Sequence, residues 1–345
     1  MPDIFRHPVS RRIKLLATAI ALVAILLLSV MLDLTQAFIP LSLKEAFLAI
    51  FGIGSEVNVA IVWQINGPRV VMGFMVGTGL GISGAAMQAI FRNPMASPYI
   101  LGLSSGAAFG AALAMMIPIA FIPAFLTVPL SAFVFCMATM FLVYFISRVG
   151  GRVPTETLLL SGIAVGSLFS ALVSLLTYLA GERMAGIVFW TMGNLSQNGW
   201  QNTFIVIPLI LMGSLIMVTR GRELNAMMLG DAHAKDLGVD VRKVRLEMLT
   251  STSLVTAAAV AFVGIIGFVG LVIPHILRII IGPDNRPLLP LSMLGGAAFV
   301  ILCDFLSRSL FTNLGILPIG ILTSLIGAPY FIYLLRKRKS EMGWN

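Results

Sequence analysis

Ten apolar runs of 14 to 26 residues, nearly free of charge, set the limits on what this chain can become: 13–32, 69–90, 99–117, 122–147, 157–180, 202–219, 246–266, 268–281, 288–307 and 318–335. Crossing about 30 Å of hydrocarbon takes about 20 such residues in a helix. Backbone groups that face lipid must be bonded within their own segment, and alternating ten-residue strands are absent, so the runs predict helices rather than barrel strands. A soluble domain is about half apolar; here 58% of residues are hydrophobic and 11% charged, an excess that needs lipid to face. The expected fold class is an all-α polytopic membrane protein of about ten transmembrane helices, a single transmembrane domain over 1–345.

The seventh and eighth runs form almost continuous apolar sequence over 246–281, either two spans or one long helix followed by a short re-entrant one, with Gly264, Gly267 and Gly270 as the expected break. Arg11, Arg12 and Lys14 precede the stretch 15–32, a pattern shared by secretory signals and first spans. Its length, and the lack of a small-x-small site near Asp33, favour a retained span. Cys136 and Cys303 each sit inside an apolar run, which reads as packing rather than a disulfide framework or metal site.

A net charge of +9 raises the question of nucleic acid, but the basic residues are spread between apolar runs and form no patch on a soluble face. Ten spans make the connections alternate between two sides. One side then receives 19 of the 23 Lys and Arg residues, including six in 220–245, and the other only Lys44, Arg69, Arg183 and Arg308. Positive residues are retained in the cytoplasm, so both termini are expected there, in a multi-pass protein of the inner membrane.

Gly73, Gly77 and Gly81, then Gly102, Gly106 and Gly110, recur every four residues. That spacing strips side chains from one helix face and lets backbones approach, which is how helices associate in lipid. Pro94-x-x-x-Pro98 followed by Gly106-Ala-Ala-Phe109 is weakly echoed by Pro283-x-x-x-Pro287 followed by Gly296-Ala-Ala-Phe299, which is either a trace of duplicated halves, a common transporter plan, or a chance match within Gly/Ala/Pro-rich membrane sequence. Between the second and third runs, Arg92-Asn93-Pro94-Met95-Ala96-Ser97-Pro98 is a polar turn pinned by two prolines. In the longest polar segment, Leu229-Gly230-Asp231-Ala232-His233-Ala234-Lys235-Asp236-Leu237-Gly238 predicts a short helix, with Asp231 near its start and Gly238 as its stop.

Taken together with their flanks, these motifs carry a resemblance. Gly67-Pro68-Arg69, Ser83-Gly84, Gln88, Asn93-Pro94, Ser97-Pro98, Leu101-Gly102 and Gly106-Ala107 closely resemble the signature of the iron-siderophore and cobalamin (FecCD/BtuC-type) permease family. The C-terminal third adds Gly267-Phe268-Val269-Gly270 through Pro274-His275 to Arg278, then Gly282-Pro283-Asp284, Leu317-Pro318-Ile319-Gly320 and Gly327-Ala328-Pro329. The likeness runs from about Trp63 to Leu335.

The resemblance implies a type II ABC importer permease that moves a ferric siderophore, haem or cobalamin, with oxyanions also within the family's range. It implies a homodimer around a translocation path, a cytoplasmic ABC ATPase dimer that carries the ATP and Mg, and a periplasmic or extracellular substrate-binding protein. This chain would do no bond chemistry and bind no cofactor, and it carries no Gly-x-x-x-x-Gly-Lys-Ser/Thr loop. Residues 220–245 would be the coupling segment, with Leu229 to Lys235, Leu237 and Gly238 meeting the ATPase. Arg69 and Arg308 would receive carboxylates of the binding protein. The family's Arg-Leu-Pro-Arg is here Asn66-Gly67-Pro68-Arg69, which removes one docking charge. The gate would include Thr155 and Glu156, where the family has a small hydroxyl residue in place of Glu156.

His275, next to Pro274, has no second His or Cys nearby and reads as a structural hydrogen-bonding group rather than a ligand; His7 and His233 are scattered. Asp304, near the outer end of the ninth run, needs a partner, and Arg308 one turn on can supply it. An ion-gradient-driven secondary transporter should show paired intramembrane carboxylates or broken helices at the midplane, and an intramembrane enzyme convergent His, Asp or Glu; the runs are nearly free of charge, and Asp304 stands alone in its own.

Overall fold

The computed structural model describes residues 8–36, 40–117, 122–150, 153–196, 199–310 and 315–341. His7 and Arg152 lie outside them. The described residues form helices α1 (Pro8–Leu34), α2 (Leu43–Ile50), α3 (Glu56–Ala60), α4 (Gly67–Ile90), α5 (Leu103–Met116), α6 (Ala124–Ile146), α7 (Thr155–Leu179), α8 (Met184–Thr191), α9 (Trp200–Thr219), α10 (Gly221–Met228), α11 (Asp231–Asp236), α12 (Val241–Val263), α13 (Val269–Ile281), α14 (Asn285–Ser309) and α15 (Ile319–Glu341). Seven of the apolar helices are long enough to cross a membrane, and α5, α13 and α15 are shorter apolar pieces. Each of the ten expected runs corresponds to one of these ten helices.

Helix α4 is the axis of the bundle, flanked by α14, α12, α13 and α9. The most apolar window of the helix ending in α4 is 83% buried, against 6% for α1, which lies on the outside along α14. A helix covered on all sides needs small residues where backbones meet. A Cβ at Gly77 would strike the Gly296 carbonyl, one at Gly81 the Ser292 carbonyl, and one at Gly84 the backbone of Gly270. Gly73 is different, because a Cβ there would find ordinary contacts with Leu195 and Ile301. Cys136 and Cys303 are buried packing residues.

The expected glycine break holds, and its form is specific. Helix α12 stops at Val263, Gly264 takes φ +71°, residues 264–268 are non-helical, and Phe268 with φ +65° opens α13. At 13 residues α13 is about 20 Å long, too short to cross alone. The irregular stretch and the helix ends that flank it accept from protein donors, as buried backbone outside the regular ladder in a membrane requires. Asn194 N donates to Val263 O (2.7 Å), Tyr99 Oη to Ile266 O (2.8 Å) and Gln88 Nε2 to Leu271 O (3.1 Å).

Just before α4, Ile61–Asn66 winds as a π-helix continuous with α3 and α4. Pro68 has no N–H for the regular ladder, and a wider turn at this point accommodates the loss.

Candidate functional site

One end of the bundle gathers the connections that the charge pattern assigns to a single side. The segment between α9 and α12 folds there as a helix–turn–helix. Gly230 at φ +117° separates α10 from α11, Asp231 starts α11, and Gly238 at φ +83° stops it. Leu224, Met227 and Ala234 face inward and anchor the pair. Leu229 and Leu237 face outward, 67% and 65% exposed, with Ala232, His233 and Lys235 also at the surface.

Ion pairs join this segment to its surroundings. Asp231 accepts from Arg245 Nη2 (2.8 Å) and Arg92 Nη2 (3.3 Å), and Arg245 Nη1 donates to Val153 O (3.1 Å). The α4–α5 turn, the α6–α7 connection and the start of α12 therefore share one carboxylate neighbourhood. On the other flank, Asp284 accepts from Asn225 of α10 (2.7 Å), Arg286 (2.8 Å) and Arg11 of α1 (2.8 Å). The Arg286 guanidinium, then Asn225 and Arg11, hold the Asp284 carboxyl well below the usual carboxylate range against partial desolvation. Arg220 bridges Glu247 and Glu223, and those hydrogen bonds raise its pKa.

The opposite end carries a different cluster. Arg69 Nε and Nη2 grip Asp304 Oδ2 and Oδ1 at 2.5 and 2.8 Å, while Nη1 donates to Ser196 Oγ (2.7 Å). Arg308 donates to Asp33 Oδ1 (2.6 Å), the Asp33 and Gln36 carbonyls, and Asn66 Oδ1 (3.0 Å). Asn66 Nδ2 returns a bond to Leu34 O (2.9 Å). Two carboxylates and two guanidiniums thus form a neutral set that ties α1, α4 and α14 together.

This cluster corrects two sequence expectations. Asp304 does not stand alone, since Asp33 is buried beside it, and its close partner is Arg69, with Arg308 at 3.7 Å. Arg69 and Arg308 were expected to reach outward, but their side chains are only 7% and 9% exposed and committed to the carboxylates. The Nε and Nη2 of Arg69 and the Nη2 of Arg308 are occupied by buried carboxylates. The uncharged Asn66 fits this interior, bridging Arg308 and α1. Asp33 had no sequence signal beyond a lone acid at the end of a run; Asn225 and Arg245 had none beyond lying in the polar segment.

The remaining motif residues are spread out. Asn93 Oδ1 accepts from Met95 N (3.0 Å) in the α4–α5 turn, and Ser97 is extended before Pro98, which begins a short 3-10 turn. Pro274 is buried in α13 and His275 half-buried beside it. Thr155 and the exposed Glu156 open α7, two and three residues after the Val153 carbonyl held by Arg245.

Known proteins share this architecture. A model of the FecCD transport family matches residues 25–337. The cobalamin import system permease protein BtuC of Halobacterium salinarum is 44% identical over 84% of this chain and 76% of its own length. The hemin transport system permease protein HmuU of Yersinia pestis is 40% identical over 82% of this chain and 85% of its own. A solved chain described as an inward-facing conformation of a metal-chelate type ABC transporter superposes with a TM-score of 0.82 at 34% identity, covering 92% of this chain and 98% of that one.

Proposed function

The chain belongs to the FecCD transport family, and from that premise we propose that it is the membrane-spanning permease of an ATP-driven importer that carries a metal chelate into the cell. One observation carries the reading. At the end where the N-terminal helix and the α4–α5, α6–α7, α9–α12 and α13–α14 connections meet, α10 and α11 hold two leucines out into solvent on a scaffold fixed by Asp231 and Asp284. An exposed apolar pair ringed by polar groups marks a protein-binding surface. We read it as the contact for a separate cytoplasmic ATPase dimer, which binds the ATP and Mg, with both termini in the cytoplasm of an inner-membrane protein.

In this reading two copies of the chain enclose the path at a two-fold axis. ATP-driven closure of the ATPases moves α10 and α11, and their ion pairs pass the displacement to the α6–α7 turn at Thr155 and Glu156, which gates the path. A substrate-binding protein docks on the opposite face. Arg69 and Arg308 support that face from beneath by holding α1, α4 and α14 in register, rather than by touching the partner. Cobalamin, named for one relative, and hemin, named for another, are bulky metal macrocycles, and a ferric siderophore is a chelate of comparable bulk.

The test is co-expression with the neighbouring ATPase in lipid nanodiscs, comparing wild type with a Gly230→Arg, Asp231→Arg variant. Assembly and ATP-dependent uptake by the wild type, both lost in the variant, support the reading. Uptake driven by a proton or sodium gradient with no associated ATPase would replace it with a secondary transporter.

A further inference from the structure

Beside the coupling segment lies a small basic pocket that the ion-pair network leaves open. Its walls include Tyr144, Val153, Asp231, Lys235, Arg242 and Arg245, around about 100 Å³. That is far below the several hundred Å³ of a typical small-molecule site and suits one ion-sized group. Three cations face one carboxylate, and Asp231 is already shared by Arg245 and Arg92. Arg245 is 11% exposed, and its Nε is buried with no hydrogen-bond partner. A buried guanidinium nitrogen left unsatisfied is costly, and an anion oxygen would complete it.

Tyr144 also belongs to a second cavity. On the outer face of α6, a groove of about 640 Å³ is lined by Phe135, Ala138, Phe141, Leu142, Phe145 and Phe169 as well as Tyr144. Its floor is braced by Phe109, 5.1 Å from Phe135 and 5.3 Å from Phe169 between ring centroids. From Phe135 to Phe145 the helix advances about 15 Å, half of the roughly 30 Å hydrocarbon core. The groove is thus about one leaflet long, and it shares Tyr144 with the basic pocket.

We propose that this junction binds one anionic phospholipid, with an acyl chain in the α6 groove and the phosphate seated among Lys235, Arg242 and Arg245. Charge complementarity and the match of groove length to one leaflet select this occupant. A bound headgroup bridges α6 to α11 and α12, so lipid composition sets how firmly the coupling segment is held. The site rests on the cytoplasmic reading of this end only for which leaflet supplies the lipid.

The test is native mass spectrometry of the full chain in detergent, titrated with phosphatidylglycerol or phosphatidylcholine of identical chains. It requires no ATPase, so its outcome is separate from that of the importer reading. The wild type is expected to retain phosphatidylglycerol on the order of tenfold better. Lys235→Glu with Arg242→Glu removes that preference, and Ala138→Trp, which fills the exposed groove, lowers retention of both lipids. Equal retention by the wild type, or a preference that survives the double charge reversal, overturns the proposal. Displacement by millimolar inorganic phosphate, or retention unchanged by Ala138→Trp, assigns the pocket to a free anion and also overturns it.

Discussion

Helices α1 and α14 run side by side and are clasped by ion pairs at both ends, yet the two clasps differ in kind. At one end Asp33, Arg69, Asp304 and Arg308 are almost fully buried, and each guanidinium meets a carboxylate inside the protein. At the other, Arg11 and Arg286 reach Asp284 from side chains that are half exposed. A buried set has no water to replace a lost partner, whereas an exposed set can exchange partners at little cost. The first end is a fixed hub. The second is a surface free to trade its contacts for those of a neighbour, as the proposed coupling to an ATPase requires.

The largest expected effect breaks the hub. Asp304→Ala leaves the Arg69 guanidinium buried without its carboxylate and should destabilise the chain by about 3–5 kcal/mol, read as a large fall in unfolding temperature in detergent. If Asp304→Ala shifted stability no more than a surface change, the hub would not be the fixed element. Next in size, Leu229→Asp with Leu237→Asp should weaken ATPase binding by at least about tenfold, as loss of exposed apolar anchors does. Because both side chains point outward, the unfolding temperature of the isolated chain should barely move. A large stability loss would mean that these leucines pack inside the protein.

The smallest effect concerns the exposed clasp. Asp284→Asn should cost about 0.5–1 kcal/mol, and the cost should shrink as salt rises. The folded-state pKa of Asp284 is depressed, so its contribution is fully present above the ordinary carboxylate range and fades as pH falls through the folded value. The wild type and Asp284→Asn should therefore differ by a constant amount between about pH 5 and 8, converging only below about pH 4. Comparing stabilities across that range by thermal unfolding checks the sign. Convergence near neutral pH would contradict it.

The apolar runs made the helices legible because burial in lipid leaves a local signal about 20 residues long. Gly77 and Gly81 were readable for the same reason, since close backbone approach demands a residue type at a spacing, whereas Gly73 of the same series meets only ordinary side-chain contacts and Gly84, which packs on Gly270, falls outside the spacing. Asp231 and Gly238 were readable as start and stop signals of a short helix. The hub was not. Asp33, Arg69 and Asp304 are separated by up to 271 residues, and nothing local to any of them records which partner the fold supplies. Arg69 and Arg308 show the cost of that gap, because a charge at the end of a span looks the same in sequence whether it turns out to solvent or inward to a carboxylate. The non-helical stretch at 264–268 was foretold by its glycines, but its satisfaction by Asn194 and Tyr99 depends on distant segments.

The most direct test of the division between fixed hub and exchangeable surface is hydrogen–deuterium exchange on the chain alone and with its ATPase subunit added. The account predicts new protection of backbone amides across 221–238 and none across 66–72 and 300–308, where the hub is already closed. Unchanged exchange over 221–238 while the ATPase is bound, or protection confined to the hub, would contradict it.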